Sequence, residues 1–175
     1  MSAQAHPKLA LRPMLPADVP LLAEIFRAGI EELTGEDYDE AQREAWSAEA
    51  EDQEQFGARL AGELTLVATR SGAPIGFAAL AGNKRIDMLY VHPAAAGQEA
   101  GAMLCDALEK LAAARGSKEL TVEASDTARG FFERRGFCAQ SRNTVSLRGE
   151  WLANTTMVKR LEAAPGGAAS TRSAP

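Results

Sequence analysis

The sequence predicts an α/β fold in which a mixed central sheet of about six to seven strands is flanked by helices. Three observations predict it. Strand-like apolar runs alternate with stretches of helical periodicity along residues 8–161. Two of the helical stretches stop at a glycine, Gly116 and Gly136, immediately before a new strand. The middle of the chain, 85–124, reads as strand, glycine-containing loop, helix, strand, and that order is the parallel crossover unit of a layered α/β sheet.

The elements follow in order. Residues 8–12 form a short strand ended by Pro13, and Asp18 with Pro20 starts a helix whose apolar face carries Leu22, Ile25, Phe26, Gly29, Ile30 and Leu33. Residues 40–48 and 53–60 read as two further helical pieces after the polar segment 34–39. A hairpin comes next: a strand over 63–70, a turn at 71–74, and the apolar run 75–80 suited to a central strand. Residues 85–91 are a strand ended by Pro93, and 99–115 a helix buried through Ala100, Leu104, Ala107, Leu108 and Leu111. A strand over 120–124 precedes a helix capped by Ser125 or Asp126 and running to Arg135. Strands over 137–147 and 150–159 are joined by an Arg148-Gly149 turn. One folded unit is expected over 8–161, with a flexible N-terminus at 1–7 and a disordered tail at 162–175, where AAPGGAASTRSAP offers nothing large to bury.

Composition narrows the function. A formal net charge of -5 without a basic run supplies no attraction for phosphate backbones, which argues against nucleic acid. No apolar stretch approaches the ~18 residues that cross a bilayer, and the opening residues lack the order of a secretory signal, so a cytoplasmic protein without membrane attachment is expected. The two cysteines, Cys105 and Cys138, read as buried free thiols, and neither has a histidine at metal-ligand spacing, so no metal is expected. The same lack of a paired histidine makes a cysteine-dependent hydrolase remote.

The chemistry-bearing segment is 86–109, IDMLYVHPAAAGQEAGAMLCDALE. A loop running into a helix N-terminus presents unpaired N–H groups, and these with the helix dipole suit a diphosphate. Leu89, Tyr90, Val91, His92 and Pro93, followed by Gly97 and by the helix opening at Gly101, resemble the first signature of the GNAT (Gcn5-related N-acetyltransferase) superfamily. ASDTARGFFERRGF, 124–137, resembles its second signature. The resemblance implies the GNAT fold and acetyl-CoA as cosubstrate. It places the coenzyme against Leu89, Tyr90, Val91, Gly97, Gln98, Glu99, Ala100, Gly101, Ala102, Ser125, Ala128, Phe131 and Phe132.

Four positions depart from that pattern. With Gly101 as the last loop glycine, Ala96, Gln98 and Glu99 stand where the family usually has a glutamine or arginine, an arginine or similar residue, and a glycine. If Glu99 took positive φ, strain would cost ~1 to 2 kcal/mol and its carboxylate would repel the diphosphate; alternatively it caps the free N–H groups itself. Phe132 occupies the place of a frequent family tyrosine, which removes a phenol acid. Transfer also needs a proton acceptor for the amine, and two strand carboxylates are candidates: Asp87, expected on the face of Leu89, and Glu123 on the neighbouring parallel strand. Ser125 either hydrogen-bonds the coenzyme arm or caps the helix.

On the acceptor side, GEDYDEAQREAWS, 35–47, resembles a GNAT subgroup with Tyr38, Gln42 and Trp46 in the roof of the acceptor site. Their spacing of four also suits a plain amphipathic face with a core tryptophan. Together these features imply an N-acetyltransferase moving acetyl from acetyl-CoA to a primary amine of a small molecule or peptide by direct transfer. The alternative is a weak or inactive GNAT-fold module that senses an acyl-CoA or binds a partner. A homodimer is left open.

Overall fold

The computed structural model describes residues 8–97 and 99–162. The expectations for 1–7 and for the tail beyond Glu162 lie outside them, as does Gln98. The described chain forms one seven-stranded sheet in the order β1-β2-β3-β4-β5-β7-β6. The strands are β1 (Leu9–Pro13), β2 (Leu64–Arg70), β3 (Ala73–Ala81), β4 (Arg85–Val91), β5 (Glu119–Ser125), β6 (Cys138–Leu147) and β7 (Glu150–Arg160). All neighbours are antiparallel except β4 and β5, which run parallel as the crossover requires.

Five helices cover the sheet: α1 (Val19–Leu33), α2 (Glu40–Ser47), α3 (Gln53–Ala61), α4 (Ala100–Ala114) and α5 (Arg129–Arg134). Because strand side chains alternate, the central strands feed two separate cores. Val67, Phe77, Ala79 and Met88 join Leu22, Phe26, Ile30, Phe56 and Leu60 of α1 and α3 on one face. Leu66, Ala68, Ala78, Leu80 and Ile86 join Leu104, Leu108, Phe132 and Phe137 on the α4 face.

Three sequence expectations change. Leu33, assigned to the buried face of α1, is 42% exposed because the helix ends there and its last turn overhangs the core. The first hairpin turn is tighter than 71–74: Ser71 and Gly72 alone carry positive φ, and β3 already begins at Ala73. Cys138 opens an edge strand and is exposed, so only Cys105 is a buried thiol, and burial pushes it up to about 12.

Helix α4 ends as its composition dictates. Gly116 has φ 90, the Ser117 N–H donates to the Ala112 carbonyl and the Gly116 N–H to that of Ala113, which satisfies carbonyls the helix leaves open. Gly116→Ala keeps those bonds only by holding a Cβ at positive φ. The expected cost is about 1 kcal/mol, read as a lowered urea midpoint with unchanged m-value.

Candidate active site

The site begins with a break in the sheet. The parallel pairing of β4 and β5 is confined to Arg85↔Thr121 and Ile86↔Val122, and beyond it the strands part. From there β4 has a neighbour only on its β3 side, through Met88↔Ala79, Leu89↔Ala78, Tyr90↔Phe77 and Val91↔Gly76. Alternate backbone groups of its far end therefore face an opening rather than a strand. The opening is a cleft of about 470 Å³, walled by 85–91 of β4, 122–125 of β5, Thr127, Ala128 and Phe132, and roofed by Tyr38, Trp46 and the β6–β7 hairpin.

A bulge sits at the point of divergence. The register with β3 jumps from Leu80↔Ile86 to Ala79↔Met88, which leaves Asp87 without a partner. A bulge breaks the period of two. Ile86 and Leu89 consequently pack on the α4 face while Met88 and Tyr90 pack on the α1 face. The expectation that Asp87 shares a face with Leu89 fails for this reason, since Asp87 turns toward α3 instead.

There it is clamped. Arg59 of α3 donates from Nε and Nη2 to the two Asp87 oxygens at 2.9 and 2.8 Å, and Arg85 Nη1 lies 3.3 Å away. The Asp87 side chain is 2% exposed. Burial alone would raise its pKa, but the Arg59 hydrogen bonds, a hydrogen bond with Glu63 and the two guanidinium charges outweigh it and hold Asp87 below the usual carboxylate range. Its basicity falls accordingly. Glu63 moves the other way: burial, together with the hydrogen bond and negative charge of Asp87, pushes it up to about 7. Arg59, Glu63 and Arg85 were not singled out in the sequence. Only Arg85, two residues before Asp87 on one strand, carried a readable signal.

Glu123 differs in every respect. It is exposed on the cleft wall and makes no ion pair among the described residues. On β5 the residues Leu120, Val122 and Ala124 pack toward α4, so Glu123 points to the opposite face, the one that Asp87 and Arg59 occupy.

At the other end of the cleft, α4 starts at Ala100. Glu99 has φ -70 and is exposed, and its side chain caps nothing. Both possibilities raised for it fall away: no strain is stored there, and its side chain makes no cap to the N–H groups of the first turn. Among the described residues of this loop the positive φ belongs to Gly97, at 77. Leu89, Tyr90, Val91, Ser125, Ala128 and Phe132 line the cleft, whereas Gly97, Glu99, Ala100, Gly101 and Ala102 stand at the helix entrance beyond its walls. Phe131 packs over that entrance, its ring 3.5 Å from where a Cβ on Gly101 would lie. Phe132, 3% exposed, sits edge-on to Phe131 and Phe137. Ser125 Oγ accepts from the Ala128 N–H at 3.1 Å and so closes the turn before α5; the N-cap of α5 is Ala128, without a side-chain cap, so neither Ser125 nor Asp126 caps the helix as expected.

The roof is tied rather than open-handed. Tyr38 precedes α2 instead of sharing its surface. Its hydroxyl donates to the Ala153 carbonyl at 2.6 Å and accepts from the Asp126 N–H at 2.9 Å. Gln42 is committed as well: Nε2 donates to the Trp151 carbonyl at 2.7 Å and Oε1 accepts from the Asp39 N–H. Gln42 thus holds the roof on the hairpin and lies outside the cleft walls. Trp46 lines the cleft, in edge contact with Tyr38 and Tyr90. Among the described residues no group of His, Cys, Asp and Glu is disposed to hold a metal, and no helix is long and apolar enough to cross a membrane.

The Glu63 displacement has a measurable sign. Between its ordinary value of 4.5 and about 7 the unfolded chain releases a proton that the folded chain keeps, so stability falls as pH rises through that window. Glu63→Gln removes the titration and keeps a hydrogen-bond donor toward Asp87. The variant should melt a few degrees above the parent at pH 8 and converge with it near pH 4, as followed by circular dichroism.

Comparison with known proteins agrees with this geometry. Residues 34–161 match the family model of the acetyltransferase (GNAT) domain. The chain is similar to the uncharacterized N-acetyltransferase YafP of Escherichia coli K12, 32% identical over 149 residues, which span 85% of this chain and 94% of that protein. It is also similar to the crystal structure of a GCN5-related N-acetyltransferase from Rhodopseudomonas palustris, with 56% identity, a TM-score of 0.87, and coverage of 91% of this chain and all of that one. A PaiA N-acetyltransferase from Thermoplasma acidophilum, solved in complex with coenzyme A, shares the fold at 21% identity and a TM-score of 0.71, covering 87% of this chain and 99% of that one. A matched domain model over most of its length, and a relative at 32% identity across nearly all of both chains, show that the chain belongs to the GNAT acetyltransferase family.

Proposed function

We propose that the chain transfers acetyl from acetyl-CoA to the primary amine of a small molecule or peptide by direct attack within one ternary complex. The observation that carries this reading is the parting of β4 and β5, which exposes backbone donors of 87–91 on the wall of a cleft that runs toward an uncapped helix N-terminus. The residues fit the coenzyme. Open N–H groups at the start of α4 suit its diphosphate, and the apolar stretch between Leu89, Val91 and Phe132 suits its arm.

The proton balance assigns the carboxylates. The amine nitrogen attacks the thioester carbon, the C–S bond breaks, the ammonium proton passes to a base and the thiolate takes a proton from solvent. Glu123, exposed and unpaired, receives the ammonium proton through water, while Asp87, bound by Arg59, acts as an anchor. No phenol stands at Phe132, and a thiol pKa near ~8.5 lets the thiolate leave without one, at a rate lowered by up to ~10²- to 10⁴-fold relative to an acid-assisted step. A protein that binds an acyl-CoA without turnover is the second reading, favoured by the exposed Glu99 carboxylate at the helix entrance.

Calorimetry with acetyl-CoA, followed by thiol release across a panel of amines, tests the transferase reading. Binding without release from any amine would favour the sensor reading, and no binding at millimolar coenzyme would remove both. Glu123→Gln should lower kcat by about 10²-fold in thiol-release assays. Glu99→Gln should tighten acetyl-CoA about tenfold, as much as Glu99→Gly does, because φ -70 leaves only charge to remove.

A further inference from the structure

The end of the cleft where β4 and β5 first separate holds more positive charge than the anchoring of Asp87 consumes. Arg59 uses Nε and Nη2 on Asp87, and Arg85 makes a single 3.3 Å ion pair through Nη1. Among the described residues, Arg59 Nη1 and Arg85 Nε and Nη2 have no hydrogen-bond partner. Both side chains are a little under half exposed, and both line the cleft. The buried Asp87 carboxylate beneath them fixes where they stand, so their remaining donors are held in place before a ligand arrives. Two guanidinium groups face Asp87 and Glu63, and because burial and the negative charge of Asp87 push Glu63 up to about 7, the cluster is net positive below that pH.

The opposite sign lies close by on the same face of the sheet. Arg85 is in register with Thr121, two residues before Glu123. Strand rise and strand spacing therefore separate the two Cα atoms by about 8 Å. The other acidic group on the walls, Glu49, is already paired with Arg148. A cationic corner and an exposed carboxylate at that separation match a molecule with an ammonium at one end and an anion at the other.

We propose that the acceptor is a small amine bearing a carboxylate, such as a free amino acid, whose carboxylate is bound by Arg59 and Arg85 while its amine lies toward Glu123. This rests on the transferase reading above and narrows its substrate class. A carboxylate seated on planar guanidinium donors makes short, charge-assisted bonds, and replacing it by a neutral amide forfeits the charge while keeping the shape.

The test sets free amino acids against their carboxamides as acceptors for the full chain with acetyl-CoA, scored by thiol release, and repeats the comparison in Arg85→Ala and Arg85→Lys. The expected result is an acid-over-amide ratio in kcat/KM of about tenfold or more, expressed mainly in KM, falling toward one in Arg85→Ala and partly restored in Arg85→Lys. A ratio near one in the parent protein, or a ratio indifferent to Arg85→Ala, overturns the proposal. Should neither series support thiol release, the transferase reading is decided by the wider amine panel, and the corner is read by titrating N-acetyl amino acids and their amides. Tighter binding of the acids that Arg85→Ala abolishes upholds it, and equal binding of acids and amides overturns it.

Discussion

Everything in the cleft depends on the loss of strand pairing after Ile86 and Val122. A central strand that abandons its neighbour gives up ladder hydrogen bonds worth about 0.5 to 1.5 kcal/mol each, and its free backbone groups need water or a ligand. The fold compensates by bridging the gap from above. Tyr38 reaches Ala153 and Asp126, Gln42 reaches Trp151, and Asp37 accepts from the Thr127 hydroxyl at 2.8 Å. Each of these bonds joins the α1–α2 region to the half of the molecule beyond the split. The residues that resembled an acceptor-binding trio therefore hold the two halves at a fixed opening, and of the three only Trp46 presents its side chain as wall alone.

The bulge at Asp87 is the second consequence of the same geometry. Where one strand of a pair must turn away, an extra residue bends it, increases its local twist and re-aims a side chain. Asp87 thereby exchanges the face of Leu89 for that of Arg59, and a group placed to accept a proton becomes a buried anion surrounded by guanidinium. Burying that anion without partners would cost several kcal/mol, so Arg59, Arg85 and the protonated Glu63 are the conditions under which it stays charged. Their leftover donors are a by-product of this compensation, available to a ligand at no further cost in ordering.

Much of the fold was legible because its elements obey single rules. Among the described residues, apolar periodicity located the seven strands and the five α-helices, and Gly116 and Gly136 marked two helix ends through the left-handed φ they adopt, 90 and 91. The strand-loop-helix phrase at 89–101 located the cleft. What escaped depended on pairing rather than pattern. RIDMLYV alternates well enough to read as an unbroken strand, and nothing in those letters announces that Asp87 has no partner across β3. Arg59 lies 28 positions upstream of Asp87, on a helix assigned without any role in the site. Glu99 was misjudged because sequence position suggested a glycine-like φ, whereas the loop places its left-handed turn at Gly97 instead.

The aromatic groups of the cleft bear on how far catalysis leans on position. Tyr38 is raised by burial, and its hydroxyl proton is committed to a carbonyl. Tyr90 is driven further up by burial, in spite of a hydrogen bond with Trp46, and its ring is enclosed by Phe26, Phe77 and Trp46. Phe132 has no proton to give. Three aromatic residues thus surround the reacting region without offering an acid suited to a departing thiolate. Under the proposed mechanism solvent supplies that proton, and what remains to accelerate transfer is the alignment of amine and thioester along β4. Alignment is sensitive to small displacements, which is why a roof fixed by backbone hydrogen bonds suits this cleft better than one free to move.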